Sequence, residues 1–250
     1  MEVIINGVQT HYIILGEGNP LLIFHGWGSN SQRWLEVGEK IANNEGFRVI
    51  IPDLPGFGES AKLEKEWNVN DYVNWADGFI EHLKLKDFYI LGHSFGGALA
   101  CKMAMKHSQD IKKIFLVASA SIRRQSFKKT LFKNMAKMVK IFSFLPYYAL
   151  FRRAVYKYVI RKSDYPSVDG FMKKTYLNVI SENLSFHLPF IRSETIIIWG
   201  DQDNVTPIEE AKYIQSKVRG SILEMIPGAG HDLNRKHPDL LAQKIVKHLP

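Results

Sequence analysis

A single cysteine, Cys101, stands in 250 residues, which excludes an intramolecular disulfide. Its place in an apolar run makes it a small core residue rather than a working thiol. No apolar run approaches the roughly 20 residues needed to cross a bilayer. The opening Met1–Gln9 segment lacks the basic region, apolar stretch and small-residue cleavage site of a secretion signal, so the chain is expected in the cytoplasm. No segment repeats, and none is of low complexity. Acidic residues are scarce in one place: between 121 and 192 there are 3 Asp/Glu to 15 Lys/Arg, whereas the rest of the chain has 22 to 18, and the net charge is +8. No nucleic-acid recognition motif accompanies that basic excess, so a nucleic-acid partner is not expected.

What is present suits one large α/β domain. Apolar residues make up 46% of the chain and charged residues 23%, ordinary values for a globular protein with a sizeable core. The N-terminus reads as a hairpin turning at Asn6-Gly7. Continuous apolar runs at Pro20–Phe24, Phe47–Ile51, Asp87–Leu91, Ile111–Val117, Thr195–Trp199 and Ser221–Ile226 have the character of strands buried on both faces. Helical patterns separate them, at 31–44, about 70–84 and 97–105, the last with one apolar face. Strands alternating with helices predict a mostly parallel central sheet with helices on both faces. Residues 120–192 break the alternation: Phe127, Leu131, Met135, Met138 and Phe142 recur at helical spacing, and Pro146, Pro166 and Pro189 divide the stretch. An inserted helical cap over the carboxyl ends of the strands is expected there, with 1–119 and 193–250 forming the core, because ligands of open α/β sheets bind at that edge.

Gly92-His93-Ser94-Phe95-Gly96 lies between a buried strand and a helix. G-x-S-x-G in that setting is a nucleophile elbow, a tight turn that lifts a serine hydroxyl above the sheet edge. A serine is a weak nucleophile until a base takes its proton, and the base needs an orienting carboxylate. In elbow enzymes these partners follow in the order Ser, acid, His. His231, in the small-residue loop Pro227-Gly-Ala-Gly-His231, is the candidate base. Asp203, in Trp199-Gly-Asp-Gln-Asp203, is the favoured acid; Asp201 competes but sits directly after Gly200, where a turn is expected, and Asp232 adjoins the base. Oxyanion donors are expected from the N–H of Phe95 and, in the earlier loop His25-Gly-Trp27-Gly, from that of Trp27. His25 and His93 fit a structural hydrogen-bonding role better than proton carriage. The chemistry calls for no metal and no cofactor.

On these residues the chain resembles the α/β-hydrolase superfamily. His25-Gly-Trp-Gly, Asp53-Leu-Pro-Gly-Phe-Gly-Glu-Ser60, Gly92-His-Ser-Phe-Gly-Gly97, Gly200-Asp-Gln-Asp203 and Gly230-His231 match its motifs in order, across both core halves. Among its branches, the small capped serine carboxylesterases and C–C hydrolases are the most similar. Epoxide hydrolases and haloalkane dehalogenases place an aspartate where this chain has Ser94.

The resemblance implies a serine hydrolase acting on a small-molecule carboxylic ester with a small to medium apolar acyl group. A lactonase or C–C bond hydrolase would use the same triad, and a non-catalytic binding protein could share the scaffold. His25, Phe127, Phe142 and Tyr147 are candidate pocket residues, although most cap aromatics are expected simply to pack the cap onto the core. The basic residues of the cap permit a solvated outer face or weak association with an anionic membrane surface, as in a surface-acting lipase. Both a monomer and a homodimer are compatible with the sequence.

Overall fold

In a computed structural model of the chain, residues 1–44, 46–123 and 170–250 are described. The expected pocket residues Phe127, Phe142 and Tyr147 lie outside them, as does most of the expected cap.

Eight strands form one sheet in the order β1-β2-β4-β3-β5-β6-β7-β8. The strands are β1 (Glu2–Ile5), β2 (Val8–Gly16), β3 (Asn19–Phe24), β4 (Phe47–Pro52), β5 (Phe88–His93), β6 (Ile111–Val117), β7 (Glu194–Gly200) and β8 (Ile222–Ile226). Asn6 and Gly7 both adopt positive φ, as a two-residue hairpin turn requires, and pair β1 antiparallel to β2. β2 runs antiparallel to β4, and the pairs from β4 to β8 are all parallel. Leu21–Phe24, Ile90, Leu91, Ile114–Val117 and Ile196–Trp199 are fully buried. Each such large apolar side chain contributes roughly 1.5–3 kcal/mol when removed from water.

The helices are α1 (Leu35–Ala42), α2 (Val69–His82), α3 (Phe95–Lys106), α4 (Phe171–Ser181), α5 (Ile208–Lys217), α6 (Leu233–Lys236) and α7 (Pro238–Val246). α1 packs with α7, and α2 with α3. From β3 the chain crosses by α1 to β4 on one side, whereas from β5 it crosses by α3 to β6 on the other. Right-handed crossovers in opposite directions set α1 and α3 on opposite faces. The strand order therefore reverses between β3 and β5, the switch point at which open α/β sheets form a crevice. Among the described residues no helix is long and apolar enough to cross a membrane.

Two elements depart from the sequence pattern. The stretch 31–44 is a 3-10 turn at Ser31–Trp34 followed by α1; Asn30 caps the turn through Arg33 N–H, and the Ser31 N–H is drawn to Asp53 Oδ1 at 2.5 Å. α3 is buried on most of its circumference rather than along one face, because it is wedged between the sheet and α2. Its small residues allow this: a Cβ on Gly97 would lie 2.2 Å from Ser119 Oγ. Cys101 is buried within α3, and burial pushes its thiol up to about 12.

Candidate active site

Ser94 stands between β5 and α3 with φ 52° and ψ −116°, a backbone conformation that costs a non-glycine residue on the order of 1–3 kcal/mol unless its surroundings enforce it. Here they do. Its N–H donates to Val117 O at 3.1 Å, and its carbonyl accepts from Gly97 N and Ala120 N, each at 2.9 Å. The flanking glycines are sterically required: a Cβ on Gly92 would lie 2.2 Å from Gly96 O, and one on Gly96 would lie 2.1 Å from Phe24 O.

The carboxyl ends of β7 and β8 bring the partners. His231 Nε2 lies 3.0 Å from Ser94 Oγ, and His231 Nδ1 lies 2.8 Å from Asp203 Oδ2. Ser94, more than a hundred residues from either partner in sequence, thus forms one hydrogen-bonded chain with His231 and Asp203. The Asp203 side chain is wholly buried, the imidazole 15% exposed. Burial alone would push the Asp203 carboxyl up. The hydrogen bond and charge of His231, with the N–H and hydroxyl of Thr206, outweigh it and hold the carboxyl below its ordinary range. Its Oδ1 accepts from Val205 N at 2.8 Å and Thr206 N at 2.9 Å.

Asp201 is placed elsewhere. It is exposed, and its Oδ1 accepts from Gly228 N at 2.7 Å, while Gln202 N donates to Ala229 O at 2.9 Å. These bonds stitch the loop after β7 to the loop after β8. A Cβ on Gly200 would lie 2.2 Å from Ala229 O, so the two backbones are in direct contact there. Asp232 is exposed just before α6.

β3 and β5 are neighbours, so the loop after β3 reaches the elbow: a Cβ on Gly26 would lie 3.1 Å from Ser94 Cβ. The N–H of Phe95 opens α3 and has no partner in its own helix. No acceptor among the described residues takes it, nor the N–H of Trp27. Two free donors beside a nucleophile suit a developing oxyanion.

His25, expected among the pocket residues, is instead fully buried. Its Nδ1–H donates to Gly26 O at 2.8 Å and its Nε2 accepts from Leu54 N at 3.0 Å. Burial, opposed by the Gly26 bond and the charge of Asp53, pushes it down to about 4. With both nitrogens engaged it ties the loop after β3 to the loop after β4. Asp53 reinforces the tie, accepting from Ser31 N and Glu59 N. His93 is likewise neutral: burial and the neighbouring His231 push it down to about 3, and its Nε2–H donates to His231 O at 3.1 Å.

The wall beside Ser94 is aromatic. The Trp27 ring meets Phe57 at 4.8 Å, Phe95 at 6.0 Å and Tyr176 at 5.2 Å. Tyr176 lies on α4, which reaches this edge from the 120–192 stretch and is held by Thr175 Oγ1 accepting from Trp67 N at 2.9 Å and Asn178 Nδ2 donating to Trp67 O at 3.1 Å. Of the basic residues in that stretch, Arg123 is engaged structurally, donating to the carbonyls of Ala120, Ile122 and Ile180. Lys174 pairs with Glu66 at 2.9 Å.

Sequence reasoning missed Thr206, whose hydroxyl lies 2.8 Å from Asp203 Oδ2 and 3.2 Å from His231 Nδ1. Its one signal was spacing: a threonine three residues after an acid can return its N–H and hydroxyl to that carboxylate.

Fold and site together define a hydrolase of the α/β class. Residues 19–238 match the family described as alpha/beta hydrolase fold, and the chain belongs to it. It is 26% identical over 234 residues to Lipase 1 of Psychrobacter immobilis, spanning 86% of this chain and 71% of the lipase. To the 2-hydroxymuconate semialdehyde hydrolase of a Pseudomonas species it is 26% identical over 265 residues, spanning 94% of this chain and 88% of that enzyme. An esterase from Exiguobacterium antarcticum shares the fold with a TM-score of 0.76 at 21% identity, covering 98% of this chain and 97% of the esterase.

Proposed function

We propose that this protein is a serine hydrolase that cleaves carboxylic esters of small to medium apolar acyl groups through an acyl-enzyme on Ser94. The observation that carries this reading is the Ser94–His231–Asp203 chain, closed at 3.0 and 2.8 Å. As Ser94 Oγ bonds to the ester carbonyl carbon, its proton passes to His231 Nε2. Asp203 holds the Nδ1–H and stabilises the imidazolium. The carbonyl oxygen becomes an oxyanion accepting from Trp27 N–H and Phe95 N–H. Collapse breaks the bond to the leaving alcohol, which takes the proton from Nε2. Water, deprotonated by His231, then attacks the acyl carbonyl, releases the carboxylic acid and restores Ser94.

The aromatic wall around Trp27 supports an apolar acyl group, and residues 120–192 are read as a lid over it. The Pseudomonas relative favours a second reading, in which the same triad cleaves a C–C bond. Hydrolysis of p-nitrophenyl esters from acetate to palmitate by wild type and Ser94→Ala, with a meta-cleavage product alongside, tests both. Ester turnover abolished in a folded Ser94→Ala is the expected result. Turnover of the C–C substrate alone would replace the ester reading, and full activity in Ser94→Ala would overturn the mechanism.

A further inference from the structure

We propose that Thr206 is a positioning residue whose hydroxyl fixes the Asp203 carboxylate against His231. The inference rests on the serine-hydrolase reading, but it stands on a separate set of contacts. Thr206 is buried and pinned from two strands: its carbonyl accepts the indole N–H of fully buried Trp199 at 2.7 Å, and its hydroxyl lies 3.3 Å from Ala118 O, just beyond β6. The turn after Asp203 is already closed by the two backbone N–H groups on Oδ1. The hydroxyl is not needed for that turn, and it points at the other oxygen, the one facing the imidazole.

A hydroxyl has one proton to donate and two lone pairs. At 2.8 Å against 3.3 Å, the proton goes to Asp203 Oδ2 rather than to Ala118 O. A lone pair then faces His231 Nδ1 at 3.2 Å, so the Nδ1–H sits between Oδ2 and Oγ1. The carboxylate receives four donors, leaving it no freedom to rotate away as the imidazole gains charge.

The groups that bear on His231 are Asp203 from the loop after β7, His93 from the end of β5 and Asp232 from its own loop. Asp203 is held ionised and His93 is held neutral across a neutral assay range. Exposed Asp232 is untouched by the substitution. A change in the acid limb of the pH profile on altering Thr206 therefore reports on the Asp203–His231 pair.

The test compares Thr206→Val, which keeps the backbone N–H and the shape but lacks the hydroxyl, with Thr206→Ser, which keeps the hydroxyl. In Thr206→Val, kcat should fall about ten- to hundredfold, the worth of one hydrogen bond to a charged group, with KM within twofold. The acid limb of kcat/KM should move to higher pH, because a carboxylate with one donor fewer holds the imidazole proton more tightly. Thr206→Ser should restore both. A folded Thr206→Val with wild-type kcat and pH profile overturns the proposal. If Thr206→Val does not fold, Thr206→Ala against Thr206→Ser isolates the hydroxyl in the same way. An inert wild type would sink the hydrolase reading instead. The His231 Nδ1 proton resonance then decides the positioning role on its own: a shift in Thr206→Val supports it, and an unchanged line refutes it.

Discussion

Replacing Asp203 by asparagine tests the site more sharply than removing Ser94, because it keeps the shape and changes only the two hydrogen bonds at Oδ2, from His231 and from the Thr206 hydroxyl. In the native site the Nδ1–H of His231 is given to Oδ2, which leaves the Nε2 lone pair facing Ser94 Oγ at 3.0 Å. An amide must choose which end to present. Val205 and Thr206 N–H require an acceptor at the Oδ1 position. Turning the NH2 toward them would leave two buried donors unmet, at about 1–3 kcal/mol each, so the amide oxygen stays there and the NH2 faces Nδ1. The ring can then only accept at Nδ1. Its proton moves to Nε2, which donates to Ser94 and cannot take the hydroxyl proton. A tautomer reversal of this kind in a Ser-His-Asp triad lowers kcat about 10⁴-fold, or roughly 5.4 kcal/mol of transition-state stabilisation. The assay is kcat at pH 7 on the preferred p-nitrophenyl ester, with thermal unfolding followed in parallel. A folded Asp203→Asn within tenfold of wild type would refute the assignment of the acid.

Two further outcomes follow from particular contacts. Gly200→Ala places a methyl 2.2 Å from Ala229 O and must part the loops that carry Asp203 and His231. Such overpacking costs about 1–3 kcal/mol, or roughly 2–12 °C in Tm for a chain of this size, and turnover should fall by more than the stability loss alone explains; unchanged Tm and kcat would mean the loops are not held by this contact. Glu224 on β8 accepts from Lys244, Lys247 and His248, and those two lysine bonds, with His248, hold its carboxyl down to about 2 against the cost of burial. Its folded value lies below the ordinary one near 4.5, so the stability it supplies is complete above about pH 4.5 and drains away as pH falls toward 2. Because Lys247 is 60% exposed, Glu224→Gln should cost only about 1–2 kcal/mol at pH 7, between the surface and buried limits. The difference from wild type should vanish in acid unfolding near pH 2, and a difference constant with pH would exclude the charged latch.

Much of the site was legible because its parts are tied to chain order. A strand ending in Gly92-His-Ser94, and two later strands ending in acid- and histidine-bearing loops, put all three groups at one sheet edge once the sheet is parallel. The parallel sheet in turn followed from apolar runs alternating with helices. What pattern could not supply was which neighbouring polar groups turn inward. His25 looked like a loop residue near a pocket, yet Gly26 O and Leu54 N–H consume both its nitrogens, a pairing between two loops that spacing does not encode. Thr206 looked like an ordinary turn residue because the use of its hydroxyl depends on β6 and β8 loops distant in sequence. α3 reads from its sequence as a helix with one apolar face, and only its position between the sheet and α2 accounts for burial on most of its circumference.

That burial of α3 bears on how the protein can change over generations. Ser94 keeps its φ of 52° through backbone bonds to Val117, Gly97 and Ala120, at the start of a helix packed against the sheet. The orientation of one half-buried hydroxyl therefore depends on interior residues such as Leu99, Met103 and Phe115. Substitutions there act on chemistry and on folding at once, so selection for activity alone would conserve this stretch of interior. Of the aromatic wall around Trp27, Phe95 shares that double duty, whereas Phe57 and Tyr176 lie outside the elbow and are freer to drift toward new substrates.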